Sequence, residues 1–98
     1  MKMVKTEFSR KVNECSSYIV YIARTYEEAR SLHNFAMTHK EMLLESGPSW
    51  YYSVSTVSVD KDCRVPEFFH DKGLFATIIE HNNGDWKAPR KYDLYIVE

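Results

Sequence analysis

Residues that break secondary structure or cross-link the chain are scarce in this sequence. Its 98 residues include only three glycines, three prolines and two cysteines. So few glycines and prolines leave little room for long flexible segments. The cysteines, Cys15 and Cys63, lie far apart and do not form the set that a disulfide framework requires. We therefore expect both thiols to be reduced.

Long apolar runs and an excess of one charge are also missing. No stretch approaches the ~20 apolar residues that a membrane-spanning helix needs. Residues 1–5 are polar and no apolar run follows them, which is unlike a secretory signal. We expect a cytoplasmic protein that does not enter a membrane. With 13 basic and 14 acidic residues, the net charge of -1 provides no overall attraction to nucleic acid.

What is present is the composition of an ordinary folded domain. Hydrophobic residues make up 44% and charged residues 28%, which predicts a single domain over residues 1–98. The patterns along the chain are a strand, a long helix, a strand, a short helical turn and two strands. They predict an α+β fold, a small antiparallel sheet of about four strands with the helix packed on one face. Residues 1–14 fit either a strand or a helix, and we expect an arm that extends or covers the sheet.

The long helix has the clearest signals. Thr25 and Glu28 form a capping-box pattern at its start, and Gly47 followed by Pro48 is a stop signal. The helix is therefore predicted to run from Tyr26 to Ser46, about 31 Å at 1.5 Å per residue. Its predicted buried stripe comprises Ala29, Leu32, Phe35, Ala36, His39, Met42 and Leu43.

The predicted strands differ in pattern. Residues 17–23 are apolar throughout, which is typical of a central strand covered on both faces. In residues 50–59 the apolar parity changes near position 55, and this predicts a β-bulge. Residues 74–80 and 91–97 are the last two strands, and the turn signal at residues 82–85 predicts a hairpin between them.

Two further features concern single residues. Pro66 can open a short helical turn that ends near Asp71, with Phe68 and Phe69 as its apolar anchors. Asp93 interrupts an apolar strand, and this predicts an edge strand whose charge prevents pairing with other sheets.

Motifs that carry chemistry are not found. The strand-to-helix junction at residues 23–25 has no glycine, which excludes the common phosphate-binding loops. We expect no catalytic residue, no metal and no cofactor. Two alternatives stay open. Cys63, His70 and His81 could bind zinc after folding, or Cys63 could be a nucleophile beside Arg64 with a histidine as its base.

Aromatic residues are plentiful and include seven tyrosines. Tyr and Trp are preferred anchors of protein interfaces, and their rings also stack on single-stranded bases. One long helix cannot cover all of these rings, so some should stay exposed. The predicted partner-binding residues are Trp50, Tyr51, Tyr52 and Trp86, with Arg90 and Lys91 at the polar rim.

These features favour a non-catalytic protein-binding module that regulates or inhibits a larger protein. A phage-encoded inhibitor of a host protein is one setting for such a module, and a homodimer stays open as well. The first alternative is a nucleic-acid-binding domain that uses the sheet aromatics and a basic hairpin loop. The second alternative is a small cysteine/histidine enzyme.

Overall fold

The computed structural model of the protein describes residues 2–4, 16–39, 51–82, 84 and 90–98. These residues form an α+β domain with one helix packed on a five-stranded sheet, which confirms the predicted class. The elements in chain order are β1 (Lys2–Val4), β2 (Ser17–Ala23), α1 (Tyr26–Thr38), β3 (Tyr51–Ser58), a 3-10 helix (Glu67–Phe69), β4 (Phe75–Asn82) and β5 (Tyr92–Ile96).

The sheet is mixed rather than antiparallel, and it has five strands in the order β1-β5-β2-β4-β3. The N-terminal arm supplies the fifth strand, because β1 pairs with β5. Strand β5 lies on the opposite side of β2 from β4 and runs parallel to β2. The predicted hairpin between the last two strands is therefore wrong. A turn signal specifies a reversal of the chain but not the strand beside which the chain returns.

Strand β2 is central, as its sequence predicts. It pairs with β4 on one side and β5 on the other, and Tyr18 to Ala23 are all buried. Because both faces of β2 are covered, neither set of alternating side chains needs to be polar. Asp93 lies on β5, which has a neighbour on each side, so the prediction that it marks an edge strand is wrong.

Helix α1 begins as predicted. The Glu28 amide donates a 3.2 Å hydrogen bond to Thr25 Oγ1, and this caps the helix. The predicted continuous helix to Ser46 is wrong, because His39 has φ -122° and ψ 37° and α1 ends at Thr38. The Thr38 hydroxyl donates to the carbonyl of Asn34 at 3.0 Å, and such local bonding by Thr competes with the helical pattern. The predicted segment beyond His39 lies outside the described residues.

The helix packs on β2, β3 and β4 through small residues. Ala29 and Ala36 are fully buried, and their size lets the helix approach the sheet closely. The buried Thr77 hydroxyl donates to the carbonyl of Ala29. Of the predicted stripe, Leu32 is half-buried, whereas Phe35 and His39 are exposed and their rings stack with centroids 4.3 Å apart. Ala36 faces the sheet at this end of α1, and Phe35, one residue away, is turned by about 100° around the helix axis and so points away from it. Met42 and Leu43 lie outside the described residues.

Strand β3 contains no bulge. Its pairing with β4 is continuous from Tyr51 opposite Asn82 to Ser58 opposite Phe75. The parity change in the sequence has another cause, because the two faces of the sheet have separate apolar clusters. Val54 packs in the cluster under α1, whereas Val57 packs in the cluster on the other face. An alternating strand can bury apolar residues on both sides without a change of register.

The second face of the sheet is covered by residues 59–74, which we call the 59–74 segment. Val59, Val65 and Phe69 are buried and pack on this face. The residues beneath them are Tyr18, Val20, Ile22, Ala76, Ile78 and Leu94. We call this the loop-side face, and the face under α1 the helix-side face. The centre of the second face is therefore covered as well, and it offers no open surface for a partner.

Polar contacts hold the 59–74 segment in place. Arg64 and Asp62 form an ion pair at 3.0 Å, and the Arg64 amide also donates to Asp62 at 2.9 Å. Burial raises the pKa of Asp62, but the hydrogen bonds from Arg64 outweigh it and the net pKa is lowered. The Tyr92 hydroxyl donates to the carbonyl of Arg64 at 2.6 Å and so ties the segment to β5. Gly73, with φ 68°, takes the backbone into β4 through the left-handed region.

Candidate functional site at one end of the sheet

The strand register brings distant parts of the chain together at one end of the sheet. Tyr51 on β3 pairs with Asn82 on β4. The Asn82 amide donates to Ser16 Oγ at 3.3 Å, just before β2 begins. When the parallel pairing of β2 and β5 is extended by two positions, Arg90 lies beside Ser16. Tyr51, Asn82, Ser16 and Arg90 thus form one row across four strands. We use the name sheet-end patch for the residues Tyr51, Asn82 and Arg90 of this row together with Lys91, which follows Arg90 in the chain.

Tyr51 and Arg90 lie on the same face of the sheet. Side chains alternate between the two faces along each strand, and residues that lie directly opposite each other on neighbouring strands share a face. All four members of the row therefore lie on the loop-side face. Tyr51 is 43% exposed, and Arg90 and Lys91 are also exposed. At ~4.8 Å per strand, three strand spacings separate Tyr51 from Arg90 by about 14 Å. The phenol ring of Tyr51 and the cation of Arg90 thus lie on the loop-side face, whereas alternation directs Lys91, the next residue, toward the opposite face.

The backbone at Lys91 is fixed against β2. Its carbonyl accepts a 2.9 Å hydrogen bond from the Tyr18 amide, and its own amide donates to Ser17 Oγ at 3.0 Å. Within the row, the buried Ser16 hydroxyl donates to a Glu80 carboxylate oxygen at 3.0 Å. These bonds position the patch without using the side chains of Tyr51 or Lys91.

Tyr52 has different surroundings from Tyr51. Its side chain lies on the helix-side face, is half-buried and donates from its hydroxyl to the carbonyl of Ala36 at 2.8 Å. Burial raises the pKa of Tyr52. Tyr52 therefore holds the end of α1 against β3. Trp50 and Trp86, the other predicted anchors, lie outside the described residues.

A second group of polar side chains lies on the helix-side face near β5. The rings of Tyr21 and Tyr95 stack with centroids 5.3 Å apart. Burial and then the neighbouring Tyr95, Tyr52 and Asp93 raise the pKa of Tyr21. Burial lowers the pKa of His81, and the Asp93 carboxylate offsets part of this change.

The structure does not bring together the residues proposed for a zinc site or for a catalytic cysteine with a histidine base. Cys63 is exposed on the loop side, whereas His81 lies on the helix-side face, so the sheet separates them. His70 Nε2 is 3.0 Å from the carbonyl oxygens of both Asp62 and Val65. Among the described residues, no three His, Cys, Asp or Glu side chains are grouped so as to hold a metal ion. Cys15 lies outside the described residues.

Two surface residues are not among the predicted site residues. The sequence indicates Asn82 only as part of a turn, and its place in the row depends on pairing with β3. Phe68 is predicted as an anchor beside Phe69, but it is 74% exposed and Lys72 Nζ lies 5.0 Å from its ring centroid. Two adjacent phenylalanines in a helical turn point in different directions, and this is the signal that could have indicated an exposed ring.

Neither the described part of the chain nor similarity to known proteins indicates an activity. Within residues 2–4, 16–39, 51–82, 84 and 90–98, no helix is long and apolar enough to cross a membrane. The chain matches no protein-family model, no curated protein and no solved structure.

Proposed function

We propose that the protein is a non-catalytic binding module that regulates or inhibits a larger protein in the cytoplasm. One observation supports this most strongly: the register places Tyr51 and Arg90 in one row, on one face and at one end of the sheet. The two residues come from distant segments, and the pairing of four strands places them on one face about 14 Å apart. The sheet-end patch is the proposed binding surface.

The chemistry of the sheet-end patch suits a protein partner. A tyrosine ring has few rotatable bonds, so its burial in an interface costs little entropy while it removes a large apolar area from water. The cations of Arg90 and Lys91 lie at the rim, where charges mainly steer the approach of a partner. The partner should therefore offer an apolar pocket with acidic residues beside it.

The test begins with capture of a partner by the intact protein from its native cells and continues with calorimetry on the isolated pair. Tyr51→Ala should weaken binding by about 2 kcal/mol or more, as hot spots do. Its unfolding midpoint should change little, because an exposed ring contributes about 0.5 kcal/mol to folding. Trp86→Ala, at the second predicted anchor, is measured in the same way.

Phe68→Ala is the matched control. It also removes an exposed aromatic ring, but the ring lies on the 59–74 segment and not in the sheet-end patch. It should leave the affinity unchanged. If Tyr51→Ala binds as tightly as the unmodified protein while Phe68→Ala does not, the binding surface lies on the 59–74 segment and the proposal is wrong.

A single-stranded nucleic acid is the second candidate partner, because the sheet-end patch combines a ring that can stack on a base with a cation on the same face, Arg90, that can bind a phosphate. The salt dependence of binding separates the candidates. A nucleic-acid complex should weaken steeply as salt increases, since bound counterions are released on binding. Protein binding centred on Tyr51 should respond to salt only through Arg90 and Lys91.

A further inference from the structure

Strand β3 is an edge of the sheet, and its sequence does not protect that edge. Among the described strands, β4 alone pairs with β3. Edge strands of monomeric proteins commonly carry a lysine, a proline or a bulge that prevents pairing with another chain. Residues 51–58 contain no charged residue and no proline, and their register with β4 is continuous. The strand is eight residues long, which is long for an edge.

The backbone groups on the outer side of β3 can be identified from one hydrogen bond. The Val59 amide donates to the carbonyl of Leu74 at 3.0 Å, in line with the β3–β4 register. In an antiparallel pair, successive residues direct their N–H and C=O groups alternately toward and away from the neighbour. Odd-numbered residues of β3 therefore bond to β4, and the backbone groups of Val54, Thr56 and Ser58 point outward.

We infer that a second copy of the chain pairs with this edge, with β3 antiparallel to β3 and Val54 opposite Val54 of the second copy. In this register, the outward backbone groups of each strand meet those of the other. On the helix-side face Tyr52 lies opposite Thr56, and on the loop-side face Ser53 lies opposite Ser55 and Tyr51 opposite Val57. Aromatic residues thus meet β-branched ones and hydroxyls meet hydroxyls, which are favourable cross-strand pairs.

The match of β3 with itself is the reason why we take the occupant to be a second copy. A two-fold contact places the same strand on both sides, so like charges on β3 would lie near one another across the axis and repel. Residues 51–58 have none. The product is a continuous sheet of ten strands, and this inference does not rest on the proposed function.

The flank of α1 beside β3 adds apolar surface to the same edge. His33 Nδ1 lies 2.9 Å from Thr56 Oγ1, which shows which flank of α1 adjoins β3. Met37 follows His33 by four residues, so it lies one turn further along this flank. Its side chain is 59% exposed. A second copy paired along β3 would cover this flank.

Sedimentation equilibrium over a range of protein concentrations tests the inference. The unmodified protein should show a monomer–dimer equilibrium. Thr56→Pro removes an outward N–H without touching the ladder with β4, and it should raise the dimer dissociation constant at least about tenfold. Thr56→Val is the matched control: it also removes the hydroxyl near His33 but keeps the N–H, so it should dimerise like the unmodified protein. A monomer at all concentrations, or an equal effect of the two substitutions, would overturn the inference.

A charge test remains informative if Thr56→Pro does not fold. The double variant S53K/S55K places lysines opposite lysines in the proposed register and should be monomeric. Mixed with S55E, it should form a 1:1 complex, because an introduced lysine of one copy then lies opposite the introduced glutamate of the other. A mixture that stays monomeric, or S53K/S55K that dimerises alone as well as the unmodified protein, shows that β3 is not the interface.

Discussion

Tyr51 and Tyr52 show that a shift of one position along a strand decides whether a tyrosine ring packs against the helix or faces solvent. They are neighbours in the sequence, but alternation places them on opposite faces. Tyr52 donates a hydrogen bond to the helix backbone, whereas Tyr51 presents its ring to solvent. Only Tyr51 is therefore suited to anchor a partner without loosening the fold.

Histidine burial predicts a pH dependence of stability. Burial lowers the pKa of His81, and burial together with Arg30 lowers that of His33. The unfolded chain, with an ordinary histidine pKa of about 6.5, then binds protons that the folded protein does not. Stability should be full above about pH 7 and decrease as the pH falls through 6.5 toward the folded pKa.

His81→Gln should reduce this dependence, because it removes one of the two histidines with a lowered pKa. The measurement is urea unfolding at about pH 7.5 and about pH 5.5, compared as a difference in the free energy of unfolding. His39→Gln, at an exposed site, is the control and should keep the full difference. The interpretation fails if both variants lose stability in acid to the same extent as the unmodified protein.

Among the elements of the fold, the 59–74 segment covers the second face of the sheet, as a second helix does in many α+β domains. It carries only one short 3-10 helix, yet three of its apolar side chains are buried on the loop-side face. The ion pair of Asp62 with Arg64 and the hydrogen bond from Tyr92 fix its path. The segment is therefore part of the core and not a surface connection.

Phe69→Ala and Phe68→Ala test this role as a matched pair. Phe69 is 5% exposed and packs on the loop-side face, so its truncation should cost about 3–5 kcal/mol of unfolding free energy. Phe68 is its exposed neighbour, and its truncation should cost about 0.5 kcal/mol. Thermal or urea unfolding gives both values. Equal effects would mean that the 59–74 segment does not form the second core.

At the scale of the whole molecule, stability should be greatest in the middle of the sheet. Strands β2 and β4 each have two neighbouring strands and lie between the two apolar clusters, whereas β1 is a three-residue edge. Native-state hydrogen exchange should therefore be slowest at the amides of β2 and β4 and fastest at those of β1. Equal protection in β1 and β2 would contradict this order.

The sequence by itself determined the α+β class, the central strand, the cap at Thr25 and the short helical turn before β4. Each of these depends on neighbouring residues: a hydroxyl three positions before an amide, or an unbroken run of β-branched and aromatic side chains. For these features the local pattern was sufficient evidence.

Only the tertiary structure decided the neighbours of each strand, the cover of the second face and the row from Tyr51 to Arg90. These depend on contacts between residues that are far apart in the chain. The turn signal after β4 did not indicate whether β5 returns beside β4 or on the other side of β2, because that depends on pairing with a strand far away in the chain. Likewise, the parity change in β3 was compatible with a bulge or with two cores, and the packing of the 59–74 segment selected two cores.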